Sequence, residues 1–183
     1  MEINIQPTLE TENLILKPLL QEDFDALYAA AADPKIWKQH PNTNRWQKEV
    51  FQNFFEGALQ SKGAFKIIDA TTKQIIGSTR FYDYTEKNNA ILIGYTFYST
   101  DCWGKGINLT VKKCMLDYIF QYVSAVIFHV GSSNFRSQIA MNRLGIKKVG
   151  EKEVAYFGEP NRLNFVYRIT KNEWFTATKK VAF

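Results

Sequence analysis

YSTDCWGKGINLTVKK, residues 98–113, joins an apolar stretch that alternates like a strand to one that repeats like a helix. Gly104 and Gly106 fall at that junction, where the first amides of a helix lack intrahelical acceptors and the helix dipole is positive. Two readings of the glycines follow. In one, Gly104 and Gly106 let the backbone approach an anion without a Cβ in the way, Lys105 adds a cation, and Asn108 caps or donates. In the other, the glycines only shape a tight strand-to-helix connection. Neither standard phosphate loop fits, because no Ser or Thr follows Gly104-Lys105 and no third glycine follows Gly106.

Outward from this loop, the chain before it reads as a strand at 14–19, helices at 21–32 and 46–59, and three strands at 64–68, 74–82 and 90–98 separated by polar turns. In the second helix Val50, Phe54 and Ala58 recur on one side, and Phe51, Phe54 and Phe55 read as core. Beyond the loop come a helix at 107–120, a buried strand at 125–130, a short helix at 137–144 ended by Gly145, and a closing strand pair at 154–157 and 164–169. Strand, glycine loop, helix and strand in that order permit a right-handed crossover between parallel strands, so a mixed α/β sheet is expected.

Composition narrows the class. At 183 residues the chain is long enough for one domain, 1–183, with a closed core. No apolar run reaches the ~20 residues a membrane helix needs. The start, MEINIQPTLETENLI, has no apolar leader pattern, so a cytoplasmic protein is expected. Cys102 and Cys114 lack the spacing of a zinc site or a disulfide framework, and no metal is expected. The net charge of +5 suits an anionic ligand. Its lysine pairs, Lys112-Lys113 among them, are dispersed and read as solvated faces, so no nucleic acid is expected.

WGKGIN, residues 103–108, resembles the acyl-CoA pyrophosphate loop of the GNAT superfamily of N-acetyltransferases, with Trp103, Gly106 and Asn108 at its three marked positions. NFRSQIAMNRLGIKKVGE, 134–151, is similar to the pattern of Asn, Arg-Ser, a helix ending in Leu-Gly and a Gly-Glu pair in the branch of ribosomal-protein N-terminal acetyltransferases. LETENLILKPL, DPKIW, IIGSTRFYD, IGYTF and NEW follow in family order, so the resemblance covers about residues 9–175. It implies a sheet of six or seven strands, largely antiparallel, splayed at a cofactor slot, with helices on both faces. It also implies transfer of an acetyl group from acetyl-CoA to a primary amine by direct attack. A non-catalytic acyl-CoA-binding module is the alternative, and the resemblance leaves a homodimer open.

By the same resemblance, Gly104, Lys105, Gly106, Ile107, Asn108 and Leu109 hold the pyrophosphate beside Trp103. The strand edge at Phe97, Tyr98 and Ser99 pairs with the pantetheine arm, and a backbone amide there donates to the thioester oxygen. Asn134, Arg136 and Ser137 lie across the splay; Asn134 and Ser137 hydrogen-bond the pantetheine or the thiolate and are the catalytic candidates, although both also suit a helix start. Positions that often carry an acid or a base in relatives are Leu92 and Met141, which leaves proton transfer without an obvious holder. His129 is a further candidate on a strand. The family's Arg-Asp-Thr run is here Arg162-Leu163-Asn164. Trp37, Trp46, Tyr82 and Tyr84 are the candidates for the acceptor site.

Overall fold

The computed structural model describes residues 3–155 and 160–179. Its elements are β1 (Leu9–Glu10), β2 (Leu14–Pro18), α1 (Phe24–Ala31), α2 (Pro34–Trp37), α3 (Lys48–Gln60), β3 (Ala64–Asp69), β4 (Ile75–Thr85), β5 (Ala90–Tyr98), α4 (Ile107–Ile119), β6 (Ala125–Gly131), α5 (Phe135–Arg143), β7 (Lys147–Val154), β8 (Arg162–Thr170) and α6 (Lys171–Lys179). They form one sheet of eight strands in the order β1-β2-β3-β4-β5-β6-β8-β7. The resemblance implied six or seven; the two-residue β1, paired with Leu16 and Ile15 of β2, adds to the count. All pairings between neighbours are antiparallel except β5 with β6, so the sheet is mixed.

Two apolar clusters sandwich this sheet. One gathers Phe65, Ile67, Phe81, Ile91 and Ile93 of the strands with Val111, Met115, Leu116 and Ile119 of α4, Met141 of α5 and Trp174 of α6. The other joins Leu27 and Ala31 of α1, Trp37 of α2, and Phe51, Phe54, Phe55 and Ala58 of α3 to Ala64 and Phe97. The three phenylalanines of α3 recur at helical spacing and are buried, as their periodicity predicts. α5 begins two residues earlier than its apolar pattern, because Asn134 caps it by accepting a hydrogen bond from the Ser137 amide at 3.2 Å. Its end has the double bond of a Schellman motif, Ile146 N–H to Met141 and Gly145 N–H to Asn142, with Gly145 at φ +69°.

Two expectations need correction. The closing strand expected at 154–157 is instead β7, ending at Val154; residues 156 and 157 lie outside the described residues. The carboxyl-terminal helix α6 has no counterpart in the periodicity reading.

The feature that positions the site is a fork. β5 and β6 pair in parallel only at Ala90 with Ala125, Ile91 with Val126 and Leu92 with Ile127. Beyond Leu92, β5 keeps only its pairing with β4, and β6 only its pairing with β8, which it has along its whole length. In the same stretch the register passes from Arg80 opposite Gly94 to Ser78 opposite Phe97, so Tyr95 and Thr96 together face Thr79. This is a β-bulge, and Tyr95 carries its positive φ of +53°. The extra residue inverts the alternation: Ile93 faces the α4 cluster and Phe97, four residues on, faces the α1–α3 cluster.

Candidate active site

The glycine loop lies next to the fork. After β5 a 3-10 turn at Thr100–Cys102 leads to Trp103, and Gly104 and Gly106 follow in the left-handed region at φ +77° and +76°. Gly106 is the N-cap of α4, and no side chain caps that end. The first helical bond back to the loop is Thr110 N–H to the Gly106 carbonyl, which leaves the amides of Ile107, Asn108 and Leu109 directed out of the helix start. A Cβ built on either glycine meets no atom within 4 Å, so open space stands above both. Backbone donors, a positive dipole end and a glycine-walled space fit a polyphosphate. The Asn108 side chain is engaged elsewhere: its Oδ1 accepts from the Tyr98 hydroxyl at 3.2 Å, tying the end of β5 to the start of α4.

The far wall of the fork is α5. Its Asn134 carboxamide serves the cap, as the helix-start reading anticipated, and Ser137 is half-buried one turn in. Arg136 bridges three segments. Its backbone amide donates to Gln39 Oε1 at 3.1 Å, its Nη2 donates to the carbonyls of Lys35 and Ile36 at 3.2 and 3.0 Å, and its guanidinium stacks on Trp103 at 4.3 Å. Asp33 completes the clasp from α2 by accepting from the Thr100 hydroxyl at 3.0 Å. The DPKIW segment thus holds both walls at a fixed separation.

The remaining sequence candidates divide. Phe97 is buried against Trp37, Phe51 and Phe54, so its side chain is core and only its backbone faces the fork. The Ser99 hydroxyl is taken up locally with Cys102 Sγ at 3.1 Å. Trp37 is also core, 2% exposed, with its indole N–H on the Ala31 carbonyl at 2.8 Å, which removes it from any acceptor wall. Tyr84 bonds Asn89 beyond the closed end of the fork. Tyr82 stacks edge-on against Tyr95 in the bulge and sits over Gly94, and Trp46 is exposed. The four aromatics therefore do not assemble. A cleft of about 490 Å³ lies instead between residues 41–44, Val50 and Asn53 of α3, and Pro160 and Arg162. Pro41 packs against Gly131, so this cleft opens at the end of β6.

Titratable groups near the fork depart from solution behaviour. His129 lies on the face of β6 opposite Phe128, its Nδ1 is buried without a hydrogen-bond partner, and burial, with Lys152 nearby, holds its basicity below the ordinary histidine range. Lys112 corrects a sequence expectation. Read as part of a solvated lysine pair, it is 3% exposed, with Nζ on Thr96 Oγ1 at 2.6 Å and Thr79 Oγ1 at 3.3 Å. Its place four residues before Leu116, on the buried stripe of α4, was the available signal. Arg80, also unflagged by its sequence, is buried over Tyr95 at 3.9 Å, donates to the Gly57 carbonyl at 3.0 Å, and is brought down to about 10 by desolvation. Among the described residues no group of three His, Cys, Asp or Glu is placed to hold a metal, and no helix is long and apolar enough to cross a membrane.

A family model described as Acetyltransferase (GNAT) domain matches residues 13–147, a span that takes in the fork and the glycine loop. The chain belongs to the GNAT acetyltransferase family. Among curated GNAT relatives, the uncharacterized N-acetyltransferase YoaA of Bacillus subtilis is 26% identical over 152 residues, 80% of this chain and 84% of YoaA. The uncharacterized N-acetyltransferase p20 of Bacillus licheniformis is 29% identical over 150 residues, 78% and 84% of the two chains. In fold, a GCN5-related N-acetyltransferase from Brucella melitensis superposes with a TM-score of 0.82 at 18% identity, covering 95% of this chain and 83% of that one. A Vibrio cholerae protein provisionally described as a ribosomal-protein-serine acetyltransferase superposes at 0.76 and 13% identity, covering 92% and 99%. A GNAT acetyltransferase thus carries its distinctive sheet fork next to an uncapped helix start.

Proposed function

We propose that this acetyltransferase moves the acetyl group of acetyl-CoA to a primary amine, either a peptide N-terminus or a small amine, by direct attack. The observation that carries the reading is the fork of β5 and β6 with the uncapped start of α4 beside it. When bound, acetyl-CoA supplies a thioester whose carbonyl carbon accepts the amine. The amides of Ile107, Asn108 and Leu109 and the left-handed backbone at Gly104 and Gly106 form the seat for its pyrophosphate, with Lys105 adding charge. The edge of β5 from Gly94 to Tyr98 has no strand partner on the β6 side, so its peptide groups pair with an amide-bearing chain in the manner of an added strand. At the bulge, the irregular backbone of Tyr95 and Thr96 aims a donor at the oxygen that gains charge, a contribution of about 3 kcal/mol for one well-placed donor.

The amine enters from the α1–α3 side, past the cleft at residues 41–44 and Arg162. His129 is on that face of β6, opposite Phe128, and is neutral at pH 7 because burial and Lys152 lower its basicity, the form in which an imidazole accepts the proton that the attacking nitrogen releases. Calorimetric titration with CoA and acetyl-CoA, followed by a thiol-release assay over a panel of peptide and small primary amines, tests the reading. Micromolar binding and thiol release with at least one amine are expected. Absence of CoA binding to the folded protein refutes it.

A further inference from the structure

We infer that Lys112 is a catalytic residue of the acetyl transfer, the ammonium that protonates the departing CoA sulfur from the α4 side of the fork. The inference rests on the assignment of the fork as the acetyl-CoA slot.

Lys112 projects from the second turn of α4 onto β4 and β5 next to the fork. Its Nζ lies 2.6 Å from Thr96 Oγ1 in the β5 bulge, 3.3 Å from Thr79 Oγ1 of β4 and 5.8 Å from the ring of Phe128 on β6. Phe128 is the first residue of β6 beyond the last paired position, Ile127, so the ammonium lies over β4 and β5 with the first diverging residue of β6 beside it. An ammonium has three N–H donors. Two serve the threonine hydroxyls, which leaves one not taken up by them. The hydroxyls also bond each other at 2.8 Å, so the pair is ordered without the lysine. From every packed element the facing groups are uncharged: Thr79 from β4, Thr96 from β5 and Phe128 from β6. Burial alone is therefore the cause that brings the Lys112 amine down to about 7. An ordinary thiol titrates at about 8.5, so proton transfer from this ammonium to a thiolate runs downhill.

His129 and Lys112 lie on opposite faces of the sheet at the fork, because Phe128 and His129 alternate along β6. The step then balances. The amine nitrogen bonds to the acyl carbon and gives its proton to His129. The carbon–sulfur bond breaks with its electron pair going to sulfur, and an Nζ proton of Lys112 completes the thiol. Solvent entering after product release takes the proton from His129 and restores the ammonium. In this arrangement the acid and the base missing at Leu92 and Met141 stand on α4 and β6 instead.

The test reads turnover against pH with saturating acetyl-CoA and an active amine, for the protein, Lys112→Met and Lys112→Arg, with the Kd for CoA and desulfo-CoA measured beside it. Lys112→Met has the length of the lysine stem without its charge, and thermal melting checks that it folds. Because the ammonium is lost as pH rises through about 7, the wild-type kcat is expected to fall on the high-pH side. Lys112→Met is expected to lose at least about tenfold in kcat at pH 6.5 and to lack that fall, while the Kd for acetyl-CoA changes less than threefold. Lys112→Arg, which keeps a cation, is expected to recover kcat and to carry the fall to higher pH. A folded Lys112→Met that keeps the wild-type kcat and its high-pH limb overturns the role of Lys112 and leaves the slot standing, and an absence of turnover with every amine overturns that role as well. Failure of all three to bind either CoA or desulfo-CoA removes the slot and the inference with it.

Discussion

Replacing Gly106 by valine separates the binding role of the glycine loop from its role in folding. Gly106 is at φ +76°, where an L side chain costs about 1–2 kcal/mol relative to glycine. Its built Cβ meets nothing within 4 Å, so no steric clash adds to that strain. A destabilisation of this size lowers Tm by roughly 3–6 °C for a chain of this length. The valine methyl groups fill the space the phosphate needs and displace it from the adjoining amides, and each charge-assisted hydrogen bond lost costs about 1.5–3 kcal/mol. Loss of one to two such bonds, about 3 kcal/mol in all, raises the Kd for CoA about 100-fold. Titration calorimetry with CoA, paired with thermal melting, reads both quantities, and Gly106→Ala, which pays the same backbone cost with less bulk, should fall between. A folded Gly106→Val that binds CoA within about twofold of the wild-type protein refutes the placement of the phosphate at this loop.

Two further substitutions test the surroundings of the slot. Arg136→Ala removes two bonds to the carbonyls of Lys35 and Ile36 and the stack on Trp103, so a loss of about 1–2 kcal/mol and a severalfold weaker Kd for CoA are expected by denaturant titration and calorimetry. Arg136→Lys should not rescue it, since a lysine lacks the planar fork. His40 is buried beside Arg45, and desolvation with that cation holds it well below 6.5, so it is neutral in the fold while the unfolded chain takes up a proton below about 6.5. Its contribution is therefore intact above pH 6.5 and is lost on acidification, with a slope of up to about 1.4 kcal/mol per pH unit. Urea unfolding between pH 5 and 7.5 should show a shallower slope for His40→Gln; an unchanged slope excludes His40 as its source.

The parts of the fold legible in the sequence are those where local chemistry and tertiary role agree. The strands at 64–68, 74–82 and 90–98 match β3, β4 and β5 because their apolar residues are buried between two helical layers. β7 was missed because Lys147–Val154 is an edge strand rich in Lys and Glu and exposed along most of its length, a pattern that protects an edge and hides its periodicity. Gly104 and Gly106 were legible because a left-handed turn before a helix leaves few residue choices. Trp37 was not, since its burial depends on Phe97, which the bulge at Tyr95 turns toward the helices. No period of two or 3.6 encodes an extra residue in one strand. Lys112 was misread for the opposite reason: its type signals solvent, and only its position on the α4 stripe opposes that.

The fork also determines how the sheet is held together. Among the described residues, the strand pairs between β5 and β6 at 90, 91 and 92, extended at the closed end by the Asn89 carbonyl accepting from the Ser124 and Ala125 amides, form the backbone seam between a five-strand half, β1 to β5, and a three-strand half, β6, β8 and β7. Beyond that seam the halves are joined by side-chain contacts, the Arg136 clasp among them. A molecule lying along the free edge of β5 with its phosphates on α4 adds contacts where the backbone has none, so occupancy of the slot lengthens the seam. Bound CoA is then expected to make the two halves melt together and to slow amide exchange in β6 to β8 along with that in β5, which hydrogen exchange with and without CoA reads.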